Sequence, residues 1–155
     1  MTTGTRVVFD CNIFLQALSS PQGPSGRCVQ LAIDGKANLF ISPSVLQELR
    51  EITCRPRVIA KLHLVADRVE EFFETLEIAA TLLSGFPELF VYQRDPDDAH
   101  YVNLARAAYA GLIVSRDKDL LDLMDTTKPE AMEFQSRFPD LRILNPVAAL
   151  RELEG

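Results

Sequence analysis

Five short apolar runs, separated by longer stretches with helical spacing, constrain this chain more than any other feature. The runs are Val7 to Phe9, Leu39 to Ile41, Leu89 to Tyr92, Leu112 to Val114 and Leu141 to Leu144. Strand-length runs alternating with helices are the pattern of βαβ units, so the chain is expected to be an α/β protein with a central parallel sheet of five strands. Ser42-Pro43 reads as an N-cap followed by Pro at the first helical position, opening a helix through about Thr53. Asp95-Pro96 repeats that arrangement. Val65, Val69, Phe72, Phe73, Leu76 and Leu83 recur at helical spacing, which predicts one long amphipathic helix from Leu64 to Ser84, its Phe pair serving the core or the seam of a homodimer. Ser19 to Gly26 (SSPQGPSG) reads as a loop. At 155 residues, residues 1–155 are expected to form one domain.

Three cysteines, Cys11, Cys28 and Cys54, form no C-x-x-C pair, and an odd count predicts reduced thiols and a cytoplasmic protein. No apolar stretch approaches the ~20 residues that span a bilayer, and MTTGTR lacks a signal-peptide core, so no membrane association is expected. The net charge of −6 excludes a protein that holds nucleic acid by overall positive potential. Charge is unevenly placed, however. Arg50, Arg55, Arg57, Lys61 and Arg68 face only Glu51 and Asp67 between positions 50 and 68, whereas positions 70 to 98 carry eight acids against Arg94. A basic patch beside an acidic site is compatible with that distribution.

Ligands of parallel α/β sheets bind beyond the carboxyl ends of the strands, and three of the runs end close to aspartates: Asp10, the group Asp95, Asp97 and Asp98, and Asp117. Helix capping accounts for any one of them, Asp95 best of all. It accounts less well for Asp10, and a cap needs one oxygen rather than a cluster. Carboxylates ~4 Å apart repel by ~1 kcal/mol in water and ~4 kcal/mol at an effective dielectric near 20, so several on one sheet edge imply a compensating cation. Mg²⁺ or Mn²⁺ suits oxygen donors. On the helix after Ser42, Glu48 lies ~40° beyond the arc of Val45, Leu46, Leu49 and Ile52, beside the buried face, and Glu51 lies ~100° beyond it, in solvent.

VVFDCNIFLQAL, ISPSVLQELREI, RDPDDAHYVNLARAA and LIVSRDKDLLDL, in that order, resemble the motifs of PIN-domain nucleases, in particular the toxin components of bacterial toxin-antitoxin pairs, and RILNPVAALREL resembles the closing strand and helix. The resemblance implies a three-layer α/β/α PIN-like domain and metal-dependent cleavage of RNA by Asp10, Glu48, Asp98 and Asp117, which serve as catalytic and metal-binding residues. Asp98 is preferred to Asp97 because it stands at the helix start. Asn12, Ser115, Asp95 and Asp119 would support the quartet. Arg50, Arg55, Arg57, Lys61 and Arg116 would hold RNA, and a cognate antitoxin protein is the implied partner. Divalent-ion chemistry of this kind needs no side-chain nucleophile. Neither His63 nor His100 has a second His or Cys at ligand spacing, which argues against zinc, and His100 is expected on the exposed side of its helix. Cys11 and Arg116 depart from the family's usual Thr or Ser and Gly.

A haloacid dehalogenase phosphatase needs a second Asp where Asn12 stands, and a receiver domain needs an acidic pair near Asp10. The remaining alternative is a nonenzymatic PIN-like module that binds RNA or a protein.

Overall fold

The computed structural model describes residues 4–155; residues 1–3, part of the MTTGTR stretch, lie outside the described residues. Strands β1 (Thr5–Phe9), β2 (Ala37–Ile41), β3 (Thr81–Leu82), β4 (Leu112–Val114) and β5 (Arg142–Leu144) pair in parallel in the order β3-β2-β1-β4-β5. β1 is central, and Val7, Val8 and Phe9 are all buried, as a strand covered on both faces requires.

From β1 the chain steps outward to β2 and β3 through α1 (Cys11–Ser19), α2 (Pro24–Ile33), α3 (Pro43–Thr53), α4 (Pro56–Leu62) and α5 (Ala66–Ala79). It then returns across the sheet through α6 (Pro96–Ala107) to β4, and reaches β5 through α7 (Lys118–Leu121), a 3-10 turn at Asp122–Met124 and α8 (Pro129–Arg137). These two sets of steps run in opposite directions, so right-handed crossovers put their helices on opposite faces. Packing agrees: α2 meets α1, α5 and the last helix, α9 (Pro146–Glu154), whereas α6 crosses β1, β2 and β4. The result is the expected three-layer α/β/α arrangement, with Phe9, Phe14, Phe73 and Phe134 among its fully buried side chains.

The direction of the strand order reverses between β1 and β4, and in such sheets the crevice at the reversal is where ligands bind. Short polar side chains cap the helices that leave this edge. Asp10 accepts from the Ile13 N–H at 3.2 Å, Ser42 from Val45 at 3.3 Å and Asn145 from Ala148 at 2.9 Å. The α3 boundaries agree with the expectation from Ser42-Pro43.

Two expected elements differ. Leu89 to Tyr92 is no strand: Phe90 and Tyr92 are buried and Leu89 and Val91 exposed, the alternation of a strand, but the backbone bonds go to a side chain. Asn103 of α6 accepts from the N–H groups of Leu89 (3.0 Å) and Phe90 (2.8 Å) and donates to the Phe90 carbonyl (3.0 Å). The strand in that position of the sheet is instead β3, which lies inside the stretch read as one helix from Leu64 to Ser84. α5 stops at Ala79, and Ala80 turns extended so that Thr81 and Leu82 pair with Phe40 and Ile41. A third difference is smaller, since Pro24, Ser25 and Gly26 form the first turn of α2 rather than loop. Phe73 is buried in the core and meets Phe72 edge to face, with ring centroids 6.0 Å apart.

Candidate active site

A cleft of about 610 Å³ opens at the carboxyl edge of the sheet, and Asp10, Asn12, Glu48, Asp95, Asp97, Asp98 and Asp117 all line it. The four acids of the expected quartet thus meet in one place although they are carried by four different elements. Asp10 is delivered by β1: its backbone N–H donates to the Val114 carbonyl at 3.1 Å, extending the β1–β4 pairing past the last strand residue. Its side chain also caps α1, which corrects the expectation that capping accounts poorly for Asp10; one oxygen caps and the other has a different partner. That second oxygen, Oδ2, receives the hydroxyl of Ser115, which is fully buried. Ser115 Oγ in turn accepts from the Asp117 N–H at 2.9 Å. A single hydroxyl therefore fixes the first acid and the backbone of the last.

Asp117 caps the short α7 by accepting from the Asp119 N–H at 2.8 Å. Asp98, in the first turn of α6, is 5% exposed, and its Oδ2 has no hydrogen-bond partner. Asp95 caps α6 through the Asp97 N–H, 3.2 Å away, and stays half-buried. Glu48 is exposed where it lines the cleft, one turn of α3 after the buried Val45; Glu51 is exposed as expected. Oxygens of Asp95, Asp98 and Asp119 lie within 4.8 Å of one another. This acidic group shares only Asp98 with the quartet, and brings in the two acids read as supporting.

Burial and crowding act on these carboxyls in the same direction. Asp98 is pushed up to about 8, first by burial and then by the negative charges of Asp117, Asp95, Asp10 and Asp119. Asp10 is also raised by burial, against the lowering pull of its bonds to Ser115 and Ile13 and with a further push from Asp117. Burial and the charges of Glu48 and Asp10 push the Cys11 thiol up to about 12, so it is no nucleophile at neutral pH. A hard cation would remove this conflict by ionising the acids and giving the orphaned Asp98 oxygen a partner.

Several contributors were not legible in the residue order. Tyr101 lies on the face of α6 toward α1, and its phenolic oxygen accepts from the Cys11 N–H at 3.1 Å, holding the turn that carries Asp10. The spacing Asp98 to Tyr101, one helical turn, could have indicated it. His100 is half-buried rather than exposed, because its Nε2 sits 2.7 Å from the Ser42 hydroxyl and its ring stacks at a tilt on Phe86, 5.4 Å between centroids. His63 is exposed at the left-handed end of α4.

The basic residues divide into two groups. Arg55, Arg57 and Lys61 are exposed and take part in none of the ion pairs among the described residues; none of the three lines the acidic cleft, and the positive charge of Arg55 acts weakly on the Cys11 thiol. Arg50, by contrast, is bound to Glu77 at 2.6 Å and lies 4.4 Å from the Phe73 ring centroid. Arg116 lines a separate cleft of about 540 Å³ with Leu62 and Asn145, beyond the acidic one.

Cys11 and Cys28 are buried and Cys54 exposed, all as free thiols. Among the described residues no helix is long and apolar enough to cross a membrane. In sequence, the chain is 29% identical over 123 residues to an uncharacterized protein, MJ1680, of Methanocaldococcus jannaschii, an alignment covering 79% of this chain and 77% of that protein. A family model described as PIN domain matches residues 6–119, from β1 to the first turn of α7. The match takes in all four acids of the expected quartet, and by it the chain belongs to the PIN domain family, whose members are generally nucleases.

Proposed function

We propose that this protein is a divalent-cation-dependent ribonuclease that hydrolyses RNA phosphodiester bonds, with residues 1–155 acting as one domain. The observation that carries the reading is the buried, unpartnered Oδ2 of Asp98 among Asp10, Asp95 and Asp117. Oxygen donors crowded in this way suit Mg²⁺ or Mn²⁺ better than a softer ion. Bound by Asp10, Asp98 and Asp117, with Glu48 at the rim, such a cation would supply Lewis acidity and charge neutralisation at the scissile phosphate.

The chain's own residues then have separate tasks. Ser115 holds Asp10 and the Asp117 backbone at fixed separation, and Tyr101 holds the turn between Asp10 and α1. Asn12, exposed in the cleft, orients a water or a phosphate oxygen. Arg55, Arg57 and Lys61 line the approach and hold backbone phosphates, while the acidic remainder of the surface repels them. Arg116 meets the strand further along. Arg50 contributes to folding instead, through Glu77 and Phe73.

RNA rather than DNA and a natural role as a toxin checked by a cognate antitoxin follow from the resemblance of the four motifs to toxin nucleases, whereas the cytoplasmic setting rests on the reduced cysteines and a homodimer on the Phe72-Phe73 pair. An antitoxin Arg or Lys entering among the acids would satisfy the same negative charge that binds the cation. The test is cleavage of defined RNAs by purified protein with Mn²⁺ and with chelator. Cation-dependent cleavage that is lost in Asp10→Asn and Asp98→Asn supports the reading. RNA binding without cleavage would replace it with a nonenzymatic RNA-binding module, and stable capture of a protein without RNA binding would replace it with an interaction module. If no small protein encoded beside this one binds it and blocks cleavage, the toxin role alone falls and RNA processing remains.

A further inference from the structure

Arg94 stands immediately before the acids that open α6, yet its charge is directed to α7 and the turn after it. Its Nε donates to Asp119 Oδ1 at 2.8 Å, and its Nη2 lies 2.7 Å from that same oxygen while donating to Asp122 Oδ2 at 2.5 Å. Asp122 is held further by Lys118 at 3.0 Å and Lys128 at 2.9 Å. Tyr92, two residues before Arg94, donates its hydroxyl to the Asp119 carbonyl at 2.9 Å. The segment before α6 is thus fastened to Asp119 through both side chain and backbone.

Asp119 otherwise stands where a cation ligand would. Its oxygen lies within 4.8 Å of oxygens of Asp95 and Asp98, close to the ~4 to 5 Å that opposite ligands of one hard cation span. Asp98 contributes a buried oxygen with no partner, so the group lacks only a third free donor. With the Arg94 Nε hydrogen on Asp119 Oδ1 and the guanidinium charge 2.7 Å from it, that donor is engaged.

We propose that Arg94 is a positioning residue that withholds Asp119 from the acidic cleft, limiting the cleft to the one cation bound through Asp10, Asp98 and Asp117 and blocking a second at Asp95, Asp98 and Asp119. This rests on the cation-dependent reading of the site. An ordinary surface ion pair makes the opposite prediction, because breaking it would leave cation binding unchanged or weaken it by loosening the segment.

The experiment is a Mn²⁺ titration of the full chain, reading free Mn²⁺ by electron paramagnetic resonance, for wild type, Arg94→Met, Arg94→Lys and Asp119→Asn, with circular dichroism as a check of folding. The expected result is one Mn²⁺ per wild-type chain, two for Arg94→Met, and one for Arg94→Lys, which keeps the charge. Asp119→Asn, with Arg94 in place, should bind with an affinity within about twofold of wild type, and in combination with Arg94→Met it should abolish the second site. One Mn²⁺ in both wild type and a folded Arg94→Met, or two in wild type, overturns the role of Arg94 and leaves the cation site standing. No Mn²⁺ in any variant overturns both. Should Arg94→Met fail to fold, Asp119→Asn decides: a loss of tenfold or more makes Asp119 a ligand and refutes the proposal.

Discussion

Asp98→Asn should stabilise the metal-free protein, by an amount that depends on pH. In the folded chain the Asp98 carboxyl is held up to about 8, whereas in an unfolded chain it titrates near 3.9. The folded state therefore binds this proton more tightly, so the associated stability is complete below about pH 4 and is lost as pH rises toward 8. The loss is about 1.4 kcal/mol for each pH unit, which over roughly three units amounts to about 4 kcal/mol at pH 7. Asparagine has nearly the same shape and no proton to lose, and its amide can donate to the neighbouring acids. For a chain of this size about 4 kcal/mol corresponds to a rise in Tm of roughly 8 to 16 °C. Thermal melts of both proteins in chelator, at pH 4.5, 6.0 and 7.5, measure it directly. The difference should be small at pH 4.5 and widen steadily. Taking the difference between the two proteins isolates Asp98 from Asp10, whose carboxyl is raised in the same direction. Saturating Mn²⁺ should then reverse the order, since it binds the ionised wild-type cluster and adds stability by mass action. A Tm difference in chelator that stays constant between pH 4.5 and 7.5 would refute the argument, because it would mean that the buried carboxyl ionises as an exposed one does.

Asp10→Asn and Asp117→Asn should each reduce RNA cleavage by about 10²-fold or more, as expected from losing several kcal/mol of charge stabilisation, with far-ultraviolet circular dichroism unchanged; full activity in both would remove the cleft from the mechanism. Reversing charge at Arg55 and Arg57 should weaken RNA binding and flatten its logarithmic salt dependence by about 1.4, the contribution of two phosphate contacts on a single strand, whereas Arg50→Ala should leave that slope alone and lower Tm. Asn103→Ala should cost about 2 to 4 kcal/mol in urea unfolding, since it strands two backbone N–H groups and a carbonyl; a cost below about 0.5 kcal/mol would show that water replaces the amide.

The central strands were legible because Val7 to Phe9 of β1 and all of β4 are buried on both faces, and β2 buries one face fully and Phe40 in part, so each reads as an apolar run bounded by polar turns. The edge was not. Thr81 and Leu82 are exposed and number only two, so nothing in their side chains distinguishes them from the helix that precedes them. Leu89 to Tyr92 misled for the converse reason: its alternation of buried and exposed residues is that of a strand, and periodicity reports which side chains are buried, not what the backbone bonds to. In the site, the sequence order of Asp10, Glu48, Asp98 and Asp117 carried the cleft, since parallel strands end on one edge. The Arg94 clamp and the inward His100 depend on how the segment before α6 lies against α7 and Phe86, which no local spacing encodes.

The attachment of that segment through Asn103 has a further consequence for how the protein tolerates change. A ladder would tie each residue of the segment to a neighbouring strand and fix its length. Here one amide makes three bonds at a single point, so residues between Leu83 and Pro87 can be added or removed without shifting the register of any strand. Insertions in this stretch should be accepted more readily than anywhere nearer the sheet. In hydrogen exchange the Leu89 and Phe90 amides should open together, below the global unfolding energy, as a unit separate from β1 and β4. The acids that follow would then be presented by a replaceable strap on an invariant frame, and relatives could diverge in substrate contacts along that strap while leaving the carboxyl edge of the sheet untouched.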